Sequence, residues 1–229
     1  MVGARRLAAT RWRAARWLVL APHADDETLG AGALIAEAAA EGRLAGVAFL
    51  TDGTGSHPHP DPASRARLRA MRRAEARAAC RLLTRGSGPD PLFLDWPDAG
   101  PFGPGSPEWR DTVRTLAALC RRARVDALAV TAVAEPHCDH AAAGRLAREV
   151  AQAALRPVAV FDYCVWGEAP PRVQPLTTGA LTPGRRRAAL AAHRSQLTPA
   201  FGDGFRLPPH QRVIPMRDRL YPRSQHDAS

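Results

Sequence analysis

"WLVLAPHADDETLGAGALIAEAAA" occupies residues 17–40. The apolar run from Trp17 to Pro22 reads as a buried strand, and the alanine-rich segment over 28–41 reads as a helix. Between them lie a histidine, two adjacent aspartates and a glutamate. Asp25 and Asp26 would repel each other if buried side by side without a counter-charge. The stretch therefore asks what positive charge it holds, and whether the rest of the chain repeats its strand-to-helix form.

The form recurs. "GVAFLTDG" (46–53) reads as a strand ending in a turn, and a Pro/His/Gly-rich loop (53–62) leads to an arginine-patterned helix over about 63–84. Strands are expected at 91–96, 126–133 and 157–166, and helices at 107–124, 139–155 and 183–195. Strands alternating with helices, the strands continuously apolar, predict an α/β fold. This is a three-layer, Rossmann-like arrangement, a mostly parallel sheet with helices on both faces. Open sheets of this kind place their sites at the carboxyl ends of the strands. "HADDE", "TDGTGSH", "DWPD" and "EPHCDH" each follow an expected strand, so the polar residues gather at one edge. The chain reads as one domain over 1–229, with a basic lead-in (1–16) and an irregular C-terminal part (197–229).

With 229 residues, 45% of them hydrophobic, the chain can bury a substantial core. The net charge is +10, and all 32 basic residues are arginine. They are scattered and aromatic residues are few, so no nucleic-acid partner is expected. No apolar run approaches the roughly 20 residues of a membrane span. The first 17 residues lack the long apolar core and cleavage site of a signal segment. Cys80, Cys120, Cys138 and Cys164 form no C-x-x-C pair, which fits reduced thiols and a cytoplasmic location.

Three readings of the acidic cluster compete. A dinucleotide site fails because Ile35 stands where the third glycine of G-x-G-x-x-G belongs, and Gly30 and Gly32 fall within the helix. A phospho-accepting signalling domain also carries an Asp-Asp pair after its first strand, but it needs a lysine and this chain has none. The third reading is a zinc site. His23 and Asp26, three positions apart at a strand-to-helix turn, can converge on one ion, and "HCDH" repeats the spacing with His137 and His140. Two histidines and a carboxylate leave positions on zinc for water and substrate. Taken singly, each cluster also reads as a helix cap with surface histidines; two at one sheet edge make that coincidence improbable.

These motifs resemble the zinc-dependent de-N-acetylases of the PIG-L or LmbE-like type. The resemblance runs through "PHADDETLGAG" (22–32), "TDGTGSHP" (51–58), "RAMRRAEARAAC" (69–80), "DWPD" (95–98), "HCDH" (137–140) and "HRSQ" (193–196). It implies that His23, Asp26 and His140 hold Zn2+ (with Fe2+ as an alternative) and that Asp25 is the general base. It also implies that His137 faces the substrate carbonyl, protonated and oriented by Asp139. Arg72 and Asp98 match positions that meet the sugar, each with a bland alternative: a helix-surface ion pair for Arg72, a turn residue for Asp98. Ser56 and His57 are further candidates for substrate contact. Glu27 reads as a first-turn helix residue supporting the site. Ala24 and Cys138 replace prolines frequent in the family, and the sequence beyond Gln196 matches poorly.

The expected activity is removal of an N-acetyl group from an amino-sugar conjugate. A metal-dependent amidase or esterase for a non-sugar substrate, and a non-catalytic zinc-containing binding module, are the alternatives.

Overall fold

The computed structural model describes residues 3–59, 61–171 and 173–223. Residues 1–2 of the expected lead-in, residue 60 of the 53–62 loop and residues 224–229 of the expected C-terminal part lie outside the described residues.

The strands are β1 (Arg5–Arg6), β2 (Trp17–Ala21), β3 (Leu44–Thr51), β4 (Leu92–Trp96), β5 (Ala127–Thr131), β6 (Ala159–Tyr163), β7 (Leu176–Thr177) and β8 (Arg219–Pro222). The helices are α1 (Asp26–Ala40), α2 (Pro62–Thr84), α3 (Pro107–Arg122), α4 (Cys138–Ala153), α5 (Pro183–Ala192) and α6 (Arg194–Leu197). Among the described residues the strands form one eight-stranded sheet in the order β1-β7-β8-β6-β5-β2-β3-β4, with only the β8 pairings antiparallel. The fold is α/β, three-layered and Rossmann-like.

β2 is buried at every position because it separates two cores. Trp17, Val19 and Ala21 face the layer containing α1 and α2, whereas Leu18 and Leu20 face the layer of α3 and α4. Two helices begin as their sequences dictate: Asp61 and Ser106 cap α2 and α3, each followed by proline at the first helical position. Gly30 and Gly144 serve close packing. A Cβ on Gly30 would lie 2.2 Å from Tyr163, and one on Gly144 would lie 2.9 Å from the Thr131 carbonyl oxygen.

Two regions differ from the sequence expectation. In the lead-in, Arg5–Arg6 pairs with β7, and Leu7 is fully buried below it. In the C-terminal part, β8 inserts between β6 and β7. Buried Arg186 anchors this region, donating to the Thr28 and Leu29 carbonyls and pairing with Asp218 at 2.7 Å. Such side-chain-to-backbone contacts leave no periodicity in the sequence. Among the described residues, no helix is long and apolar enough to cross a membrane.

Candidate metal centre

Strand order places the site. From β2 the chain builds outward through β3 and β4 on one side, while β5 and β6 lie on the other. The crevice at the carboxyl ends of β2 and β5 is thus a topological switch point, where open α/β sheets bind their ligands. "HADDE" leaves β2 there and "HCDH" leaves β5 beside it, so two turns distant in sequence meet at the ends of parallel neighbouring strands.

Asp26, buried at the start of α1, joins the turns. Its Oδ2 lies 3.2 Å from His23 Nδ1 and 3.2 Å from His140 Nε2. A tetrahedral shell with zinc bonds of about 2.0–2.1 Å spaces neighbouring ligand atoms about 3.3 Å apart, so both separations suit one shared ion. The other carboxylate oxygen, Asp26 Oδ1, is buried and has no hydrogen-bond partner among the described residues. Charge points the same way. Burial opposes ionisation of Asp26, but His140 and His23 outweigh it and hold the acid well below its usual range. Burial likewise works against a charged His140, yet Asp26 and Glu135 push its pKa up to about 9. A cluster that stabilises imidazolium protons so strongly has the charge balance for a divalent cation, and its donor set fits zinc.

Other side chains crowd the same point. His23, His137 and His140 offer ligand atoms within 4.8 Å of one another, as do His23, Asp98, His137 and Asp139. The set built on Asp26 accounts best for the geometry, because one of its oxygens touches both histidines and its other oxygen is unpaired. His137 is on the cavity side, its side chain 38% exposed.

Glu135, which the motif reading passed over although it stands two residues before "HCDH", fixes His140 from behind. It lies 3.2 Å from His140 Nδ1 and accepts the backbone N–H groups of Val165, Trp166 and Gly167 at 2.9–3.0 Å. A carboxylate on the far nitrogen of a metal-ligating histidine sets its tautomer and basicity.

Asp139 differs from expectation. Its Oδ2 is 3.0 Å from His23 Nε2 but 3.8 Å from His137 Nδ1, so its carboxylate orients His23. Asp98 reaches the same His23 nitrogen at 3.2 Å. His137 is oriented by backbone instead, since its Nδ1 accepts the Asp139 N–H at 3.2 Å as the cap of α4. A ring accepting at Nδ1 carries its hydrogen on Nε2 when neutral. Burial and the neighbouring His23 lower the His137 pKa, favouring this neutral form over the protonated one expected from the motif.

Asp25 occupies the cap position of α1 yet makes no cap bond with its side chain. Its φ of 142° lies in a region that non-glycine residues rarely adopt, at a cost on the order of 1–3 kcal/mol. Burial lifts its pKa from the ordinary 3.8 to about 6, with Arg72 opposing the rise and Asp26 adding to it. Its N–H donates to Glu27 Oε2 at 2.9 Å.

A cavity of about 560 Å³ opens onto this group. His23, Asp25, Asp26 and His137 line its floor, and Arg72, Asp98 and Ser56 are on its walls. Arg72 is buried, so it is no helix-surface ion pair; Nη2 donates to the Ala24 carbonyl, and Nε and Nη1 have no partner among the described residues. His57 is not among the lining residues. It sits behind Ser56, 3.0 Å from its hydroxyl, with Gly204 pressed against its ring. Cys138, exposed, turns its thiol toward Asp139 at 3.7 Å and stays off the cavity lining. Trp166, Gln196, Phe205 and Gln211 also line the cavity. The motif reading missed Trp166, at the end of the strand expected over 157–166, and Phe205 and Gln211, in a segment without a recognisable pattern.

No curated protein matches this chain. Its fold is similar to that of N,N'-diacetylchitobiose deacetylase from Pyrococcus horikoshii, with a TM-score of 0.66 and 18% identity over 93% of this chain and 85% of that one. The zinc-inhibited form of teicoplanin deacetylase Orf2 is similar at a TM-score of 0.63 and 18% identity, over 93% of this chain and 100% of that one. GalB, the 4-carboxy-2-hydroxymuconate hydratase of Pseudomonas putida KT2440, shares the fold at a TM-score of 0.60 and 19% identity, over 93% and 98% of the two chains. At such identities the likeness speaks for the fold alone, and one fold hosts more than one reaction. The sequence itself is decisive: the GlcNAc-PI de-N-acetylase model matches residues 18–151, more than half of the chain, which therefore belongs to the PIG-L family.

Proposed function

We propose that this chain is a zinc-dependent hydrolase that removes an N-acetyl group from an amino-sugar conjugate, with His23, Asp26 and His140 holding the ion. The observation that carries this reading is the Asp25 carboxylate, which gives up its place as a helix cap to face the cavity beside the metal ligands. Zinc supplies a water whose pKa falls from 15.7 toward about 7.

Asp25 takes the proton of the water that attacks the amide carbonyl, and its raised pKa of about 6 suits a base working near neutrality. As water adds to the carbonyl carbon, the His137 Nε2–H donates to the oxyanion that forms on the carbonyl oxygen. Asp25 then returns its proton to the amine nitrogen as the C–N bond breaks, and acetate and a free amine leave. Arg72, Asp98 and Ser56 hold the sugar's polar groups, while His57 supports the Ser56 loop from behind. The family and the two deacetylases of similar fold support the amino-sugar assignment. Free thiols at all four cysteines support a reducing compartment, the cytoplasm.

Acetate release from a panel of N-acetylated amino sugars, with acetylated amino acids and polyamines alongside, tests the reading. Turnover confined to sugars is the expected result. Turnover confined to the non-sugar arm moves the chain to a general amidase. No turnover by protein carrying one zinc per chain overturns hydrolysis.

A further inference from the structure

Two buried ionisable side chains next to the site take no part in the chemistry above. Glu27 and His193 are both fully buried, 2.9 Å apart from Glu27 Oε1 to His193 Nε2, and neither lines the cavity. Oε1 also accepts the Thr28 hydroxyl at 2.6 Å, while Oε2 accepts the Asp25 N–H at 2.9 Å. The carboxylate is thus gripped at one oxygen and holds the backbone of Asp25 with the other.

That backbone is the strained one. At a normal helix start the cap residue is extended and its side chain accepts from the first turn. Asp25, at φ 142°, does neither. Glu27 reaches back to the cap residue's N–H as the glutamate of a capping box does, but one position earlier in the helix. Without an acceptor this buried N–H would have no partner, and the peptide would gain by rotating toward the extended form. In that form the Asp25 carboxylate would cap α1 instead of facing the cavity.

His193 is itself held in place. It belongs to "HRSQ", which no step of the proposed reaction uses. Two residues on, Ser195 donates its N–H and hydroxyl to Glu75 of α2 at 2.8 and 2.6 Å, and Gln196 reaches the cavity wall. Residues 193–196 therefore tie the segment after α5 to α2 and deliver one imidazole to Glu27.

We propose that Glu27, clasped by His193, is a positioning residue for Asp25: it keeps the strained backbone in place and so aims the base into the cavity. The catalytic part of this statement rests on the hydrolase reading; the backbone part does not. The test uses the zinc-loaded full chain and Glu27→Met, which keeps the side chain's bulk and removes both acceptors. Amide hydrogen exchange is expected to accelerate at Asp25 and to stay slow at Leu34 in the interior of α1. Zinc should remain at one per chain, and kcat should fall about 10–100-fold with KM unchanged, the usual scale for a supporting carboxylate. Glu27→Gln should restore part of kcat, because its amide oxygen still accepts the Asp25 N–H. In an Asp25→Asn background, Glu27→Met should cost no further turnover, since the two residues act as one unit.

An Asp25 amide that stays protected, or a kcat loss that adds fully to that of Asp25→Asn, overturns the proposal. If Glu27→Met does not fold, His193→Met, which removes only the clasp, must shift Asp25 exchange in the same direction or the proposal falls. If the wild-type protein turns over no amide, the hydrolase reading fails, and the exchange experiment still decides whether Glu27 holds Asp25.

Discussion

The turns after β2 and β5 have the same construction and opposite behaviour. Each joins the carboxyl end of a central parallel strand to a helix, and each places a polar residue at the cap position. His137 behaves conventionally: its backbone is extended, with φ −83° and ψ 134°, and its side chain caps α4. Asp25 carries one of the best capping side chains known and does not cap; its φ is 142°. At the β5 turn, local stability and the placement of a ring at the cavity are met by one conformation. At the β2 turn they conflict, and local stability is given up. A residue that forgoes a cap bond of about 1 kcal/mol, and accepts strain besides, has its conformation set by more than helix formation.

Substitutions that separate capping from chemistry can break this comparison. The largest effect is expected at Asp25→Asn, which keeps size and polarity but cannot take a proton. Turnover should fall about 10²–10⁴-fold while zinc stays at one per chain, as measured by metal analysis beside steady-state kinetics. Near-normal kcat would remove the base from the mechanism. Across the cavity, His137→Ser installs a favoured cap too short to reach substrate. The melting temperature should hold or rise, and kcat should drop about 10²–10³-fold, the scale for losing one oxyanion donor. A fall in stability with kcat intact would show that His137 is only a cap.

Glu135→Gln sharpens the comparison from outside the turns. It keeps the contacts to the Val165 and Gly167 N–H groups through its oxygen, loses the one to Trp166, and puts an amide NH2 where the acceptor behind His140 stood. About 10–100-fold should be lost in zinc affinity, read by competition with a chelator. Unchanged affinity would reduce Glu135 to a loop tether.

How legible each turn was from sequence follows from the same physics. The two motifs drew attention together: each alone reads equally as a helix cap, but His23/Asp26 and His137/His140 stand at i, i+3 after two apolar strands expected at one sheet edge. The sheet was legible too: Trp17–Ala21 is apolar at every position and Ala127–Thr131 at all but its last, a pattern that marks burial on both faces. Directions within the site were not legible. Asp139 stands next to His140 and two residues from His137, yet its carboxylate crosses to His23, because α4 turns it toward the crevice between β2 and β5. Trp166 and Phe205 come to the cavity from segments held by long-range contacts, the Trp166 N–H on Glu135 and the Phe205 N–H on the Ser56 carbonyl, a tertiary arrangement with no local signature.

Asp25→Gly carries the smallest expected effect and isolates the strain. Glycine adopts positive φ about as readily as negative, so the substitution relieves the backbone without disturbing the N–H bond to Glu27. Its gain in the chelated protein has two parts, which pH separates. Asp25 has a native pKa raised from 3.8 to about 6, so native stability suffers when the acid ionises. That penalty is absent below pH about 4 and complete above pH about 6. At pH 4 the variant should therefore exceed wild type by the strain alone, about 1 kcal/mol after glycine's own entropy is subtracted, or roughly 2–4 °C in melting temperature. At pH 7 the difference should be larger. Equal melting temperatures at pH 4 would mean that the 142° backbone costs nothing, and that the contrast with His137 lies in side-chain chemistry alone.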